Sequence, residues 1–81
     1  MVDVAARIVV DPNVMSGKPI IRGTRVTVER VLTLLAQGMT KAQVLGEFPQ
    51  IGDPDILACL AYGASLAGSE EIVPLPENRP A

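Results

Sequence analysis

Between residues 27 and 68 the chain is cut at regular intervals by residues that helices do not tolerate. Gly38, Pro49 and the Gly52-Asp53-Pro54 cluster separate three apolar segments, and Gly68 closes the last. Each segment is long enough for a short helix and too short for anything larger. The first, from about Thr27 to Gln37, places Val28, Val31, Leu32 and Leu35 at the i, i+3, i+4, i+7 positions of one helical face. Gly38 then serves as a left-handed cap. Thr40 opens the second helix, and Gln43 three residues later completes a capping-box pattern. Val44, Leu45 and Phe48 form its inner face, and Pro49 ends it. The third helix starts with Asp53 as N-cap and Pro54 at the first helical position, and runs to about Ala67.

The third helix is apolar on two faces. Leu57, Leu60, Ala61 and Ala64 make one stripe, and Ile56, Cys59, Gly63 and Leu66 make another. A helix apolar on two sides needs two neighbours. One stripe is expected to pack on the first two helices. The second carries small residues at four-residue spacing (Cys59, Gly63, Ala67), so Ile56, Cys59, Gly63 and Leu66 are expected to form a homodimer seam.

Size supports that expectation. An 81-residue chain is one domain, and so small a domain is only marginally stable alone. The single cysteine, Cys59, excludes an internal disulfide, and there is no histidine to help it hold zinc. Association with a second copy is the remaining stabiliser. The lone thiol fits a reducing cytoplasm. The N-terminus carries Asp3 and no long apolar run, so no signal peptide is expected. The longest uncharged stretch, Ile56–Ser69, is too short for a membrane span of roughly 20 residues.

Ahead of the helices, Arg7–Val10 and Pro19–Arg22 read as two short strands joined through an Asp11-Pro12-Asn13 turn and a loop. Gly23, in a tight turn over residues 22–25, is free to take positive φ. The segment GKPIIRGTR, residues 17–25, packs Lys18, Arg22 and Arg25 into nine residues of an acidic protein. The asymmetry is general: residues 1–41 hold six cations and three anions, residues 42–81 one cation and six anions. Such a division suggests two surfaces with different partners.

Enzyme chemistry finds no support. There is no histidine base, and Cys59 sits among alkyl side chains, where a thiol stays protonated. Asp53 and Asp55 are accounted for by the helix dipole, and adjacent Glu70 and Glu71 do not face each other on a helix. Gly17-Lys18 is not a phosphate loop, because Pro19 replaces the Ser or Thr and Pro12 the first glycine. No cofactor or metal is expected.

Lys18, Arg22 and Arg25, with Lys41 as an auxiliary backbone contact, are the candidates for binding DNA. Arginine engages phosphate through a planar fork, and a two-stranded ribbon fits the major groove. The competing reading makes them solvated charges, or pins of the hairpin through Glu29 or Asp11. No aromatic lies near them in sequence, which argues against stacking on unpaired bases. The third helix, the usual reader in a helix-turn-helix, starts with Asp53 and Asp55, which phosphates repel.

The pattern IVVDPNVMSGKPIIRGTRVTVERVL, followed by TKAQVLGEFPQI and DPDILACLAYGASL, resembles the domain-of-unknown-function family four-three-three over residues 7–67. The family motif falls on Asp11, Pro12, Gly17, Lys18, Pro19, Ile21, Gly23, Thr24 and Arg25; Thr27 stands where the family often has proline. The resemblance implies a mainly α fold: a homeodomain-like three-helix bundle after a short N-terminal β-hairpin. It also implies the antitoxin half of a toxin–antitoxin pair, encoded beside a PIN-like ribonuclease toxin.

The domain is expected to occupy residues 1–69, with an extended, proline-rich tail over 70–81. In the antitoxin reading the basic half contacts operator DNA, while Ile72, Val73, Leu75 and Arg79 lie across the toxin. The alternative is a dimeric protein-interaction module that never touches nucleic acid.

Overall fold

The backbone of residues 4–69 and the side chains of residues 6–68 are described by a computed structural model. A short helical turn, α1 (Val4–Arg7), leads directly into β1 (Ile8–Val10), which pairs antiparallel with β2 (Pro19–Ile21). Three helices follow: α2 (Val28–Ala36), α3 (Lys41–Glu47) and α4 (Asp53–Ser69). Three helices behind an antiparallel hairpin are the architecture the helix breakers predict. Arg7, expected to begin the first strand, instead ends α1, and its carbonyl accepts from the Arg22 N–H at 2.8 Å.

The hairpin register pairs Ile8 with Ile21, Val9 with Ile20 and Val10 with Pro19. Ile8 and Ile21 face inward together, and Val10 is left exposed at the far end. The turn from sheet to helix is tied by one threonine. Thr24 Oγ1 donates to the Ile21 carbonyl at 2.8 Å and accepts from the Val26 N–H at 3.0 Å, while Gly23 takes φ +78°. Thr27 caps α2 by accepting from the Arg30 N–H at 3.0 Å.

Gly38, at φ +99°, closes α2 with the paired bonds of a Schellman motif: Gly38 N–H to the Leu35 carbonyl and Met39 N–H to Leu34. Thr40 and Gln43 form the expected capping box, with reciprocal bonds of 3.1 and 2.8 Å. At α4 the cap lies one residue earlier than the sequence predicts. The Gly52 carbonyl accepts the first helical bond, from the Ile56 N–H, so Asp53 is the first helical residue and Pro54 the second. Asp55 reaches back to the Gly52 N–H at 2.9 Å, which fixes the cap there.

The core gathers Ile8 and Ile21 from the hairpin, Val26, and Val28, Val31 and Leu34 from α2. Val44, Ile51, Ile56, Ala58 and Cys59 complete it. This reverses the assignment of the two α4 stripes. Ile56 and Cys59 are wholly buried inside their own subunit, and a Cβ on Gly63 would lie 3.0 Å from Leu32 of α2. Ile56 and Cys59 therefore leave no surface for a seam with a second copy. Leu66 is exposed, at the edge of the α2–α4 contact. The stripe facing solvent is the other one: Leu57 and Leu60 are each 43% exposed, and Ala64 is exposed beside them.

Candidate functional site

The sequence divides charges of opposite sign between its two halves, and the fold forms two ion pairs across that division and one within the first half. Arg7 Nη1 lies 3.2 Å from Asp55 Oδ1, Lys18 Nζ 2.8 Å from Glu29 Oε1, and Lys41 Nζ 3.3 Å from Asp53 Oδ1. The last two pairs are exposed. Lys18 holds the Glu29 carboxyl below its usual range, first by the hydrogen bond and then by its charge.

The pairings separate the candidate cations into two sets. Lys18 and Lys41 each have a carboxylate against them. Arg22 donates through Nε to the Ala6 carbonyl at 2.7 Å, which fixes the side chain without neutralising it. Among the described residues, Arg22, Arg25 and Arg30 have no carboxylate partner. All three are exposed, and they lie along the edge running from the end of β2 into the first turn of α2.

Lys18, Arg25 and Arg30 line a shared groove of about 460 Å³. Its floor and walls are Val26, Thr27, Met15, Phe48 and Gln50, with Glu29 at its side. The groove owes its shape to an unusual turn. Met15, Ser16 and Gly17 all take positive φ, at 49°, 57° and 77°. For Met15 and Ser16 that conformation costs on the order of 1–2 kcal/mol each. It leaves Met15 exposed at the rim and turns the chain so that Lys18 meets Glu29.

Two members of the groove were not expected from the sequence. Arg30 was counted among the cations but not as a contact residue; its place three residues after the Thr27 cap was the signal, because that position faces back over the helix entry. Phe48 corrects the expectation that no aromatic accompanies the cations. It is remote in sequence and reaches the groove from the end of α3. Arg22 and Lys41 are not among the groove's lining residues.

The start of α4 is unsuited to phosphate. Asp53 is exposed there, and α4 carries no Lys or Arg. Ile72, Val73, Leu75 and Arg79, expected to meet a partner, lie outside the described residues. Among the described residues no group of three or more His, Cys, Asp or Glu side chains could hold a metal ion, and no helix is long and apolar enough to cross a membrane.

The fold is a small three-helix domain behind a hairpin, and among the described residues Arg22, Arg25 and Arg30 have no carboxylate partner. The family profile described as "Protein of unknown function (DUF433)" matches residues 8–63, and the chain belongs to that family. It is also similar to a DUF433 member protein from Anabaena variabilis ATCC 29413, known from a crystal structure. The TM-score is 0.72 and the sequence identity 25%, over 78% of this chain and 62% of that one. The present chain therefore spans less than two thirds of that protein's length. No curated protein matches it.

Proposed function

We propose that this protein is a non-catalytic, cytoplasmic antitoxin of a type II toxin–antitoxin pair. Its Arg22–Arg25–Arg30 edge binds operator DNA, and its tail neutralises a PIN-like ribonuclease. The observation that carries the DNA half is the absence of carboxylate partners for three exposed arginines in a protein that pairs its other described cations. Guanidinium groups without a carboxylate partner keep their positive charge, and their planar forks suit phosphate oxygens. Lys18 adds a fourth positive charge that can exchange Glu29 for phosphate at little cost, because both partners are solvated.

The toxin half is supported by the family resemblance and by tail composition. Residues 70–81 combine Glu70, Glu71 and Glu77 with Ile72, Val73 and Leu75, a mixture that orders on a partner's surface. In this reading Arg79, the tail's one cation, enters the acidic centre of the nuclease. The protein acts as a homodimer joined through Leu57 and Leu60.

A gel shift at low salt tests the DNA half. Wild-type protein should retard duplex DNA, and the triple variant Arg22→Ala/Arg25→Ala/Arg30→Ala should not. The Leu57–Leu60 stripe and the acidic start of α4 favour the second reading, a dimeric interaction module. Failure of wild-type protein to retard any duplex would select it.

A further inference from the structure

Beside the cationic groove lies a second one of different character. It runs between α2 and α4, has a volume of about 330 Å³, and is walled almost entirely by carbon: Pro19, Val28, Leu32, Tyr62 and Leu66. Glu29 borders both grooves, so the apolar one leads into the cationic one. Leu66, at the far end, is 45% exposed, a large apolar side chain left with one flank open. It sits three residues before Ser69, the last residue of α4.

The sequence beyond Ser69 carries an apolar run within reach of this groove. Glu70 and Glu71 come first, then the apolar run Ile72-Val73-Pro74-Leu75, then Glu77. Ile72 is three residues from Ser69, an extended reach of about 10 Å, while Leu66 is about 4.5 Å back along the helix. A chain reversing over Glu70 and Glu71 thus brings Ile72 to the Leu66 end of the groove. The apolar run Ile72-Val73-Pro74-Leu75 then meets a groove whose walls are apolar.

We infer that the apolar groove between α2 and α4 is a docking site for the chain's own segment Ile72–Leu75. Pro74 lacks an N–H and Pro76 does too, so an extended segment seated there leaves few backbone donors to satisfy. Tethering supplies the affinity: a segment joined by so short a link is present at an effective concentration in the millimolar range, enough for a small apolar contact. Docked in this way, the tail covers its own apolar side chains until a partner surface displaces it. The inference is independent of whether DNA or a toxin is the partner.

The protein contains one tyrosine and no tryptophan, and that tyrosine, Tyr62, lines the groove. Its fluorescence therefore reports the groove alone. The test is acrylamide quenching of the full-length protein and of the full-length variant Ile72→Asp/Leu75→Asp, whose changes lie outside the described fold. The variant should be quenched about twofold more steeply, because a tethered segment that fills the groove covers the ring and one carrying two charges does not. Leu66→Asp, on the groove's own exposed edge, should weaken the shielding in the same way. The difference should persist unchanged across a dilution series. Equal quenching of wild type and both variants overturns the inference. So does a difference that vanishes on dilution, because it assigns the groove to the tail of a second copy.

Discussion

Arg7 Nη1 and Asp55 Oδ1 lie 3.2 Å apart across 48 residues of sequence, and this pair joins the end of α1 to the start of α4. The same carboxylate accepts from the Gly52 N–H through its other oxygen, at 2.9 Å. Asp55 thus caps one helix and holds the end of another at once, and its side chain is only 15% exposed.

Replacing Asp55 with alanine removes both bonds. The expected loss is about 1–3 kcal/mol, the scale for leaving a partly buried donor unpaired. Arg7→Ala should cost less, since its side chain is 41% exposed and can reach water. A double-mutant cycle by urea denaturation should show that the two losses do not add.

Burial pushes the Cys59 thiol up to about 11, with a further contribution from the Asp55 charge. Below pH 9 the thiol is protonated in both the folded and the unfolded chain. Between about pH 9 and 11 the unfolded chain gives up the proton and the folded chain keeps it. Ionisation then favours unfolding, so stability is lost as pH rises through that window. Urea midpoints measured from pH 8 to 11 should fall more steeply for wild type than for Cys59→Ala. The alanine variant should also be less stable at pH 7, by about 1 kcal/mol, for the small cavity it leaves.

Assembly should depend on Leu57 and Leu60 rather than on Ile56 and Cys59. Leu57→Glu/Leu60→Glu puts charge on the solvent-facing stripe without touching the core. Light scattering should find the wild type dimeric and the variant monomeric, with unchanged helical circular dichroism. Ile56→Ala should instead lower stability by about 2–5 kcal/mol, because it empties a fully buried site.

The local punctuation of this fold was legible because each device needs only neighbours in sequence. Thr40 and Gln43 cap a helix three residues apart, and Gly23 and Gly38 take the positive φ their turns demand. The faces of α4 were not legible in the same way. Period alone cannot say which of two apolar stripes turns inward when both are greasy. That was decided by the contact of Gly63 with Leu32 and by the fit of Ile56 and Cys59 among residues from the hairpin and α2. The cationic segment was visible as a run, but its division was not. Lys18 follows a turn in which Met15 and Ser16 take positive φ and meets Glu29 of α2, and Phe48 joins Arg25 and Arg30 from the end of α3.

The most direct test of the account is the slope of DNA affinity against salt, measured by fluorescence anisotropy on one duplex. Each phosphate contact removed should reduce that slope by about one. The account predicts a drop approaching three for Arg22→Ala/Arg25→Ala/Arg30→Ala, and little change for Lys41→Ala, because Lys41 stands beside Asp53 at the acidic start of α4, where phosphate is repelled. A slope unaltered in the triple variant, or one lowered as much by Lys41→Ala as by any single arginine change, would contradict it.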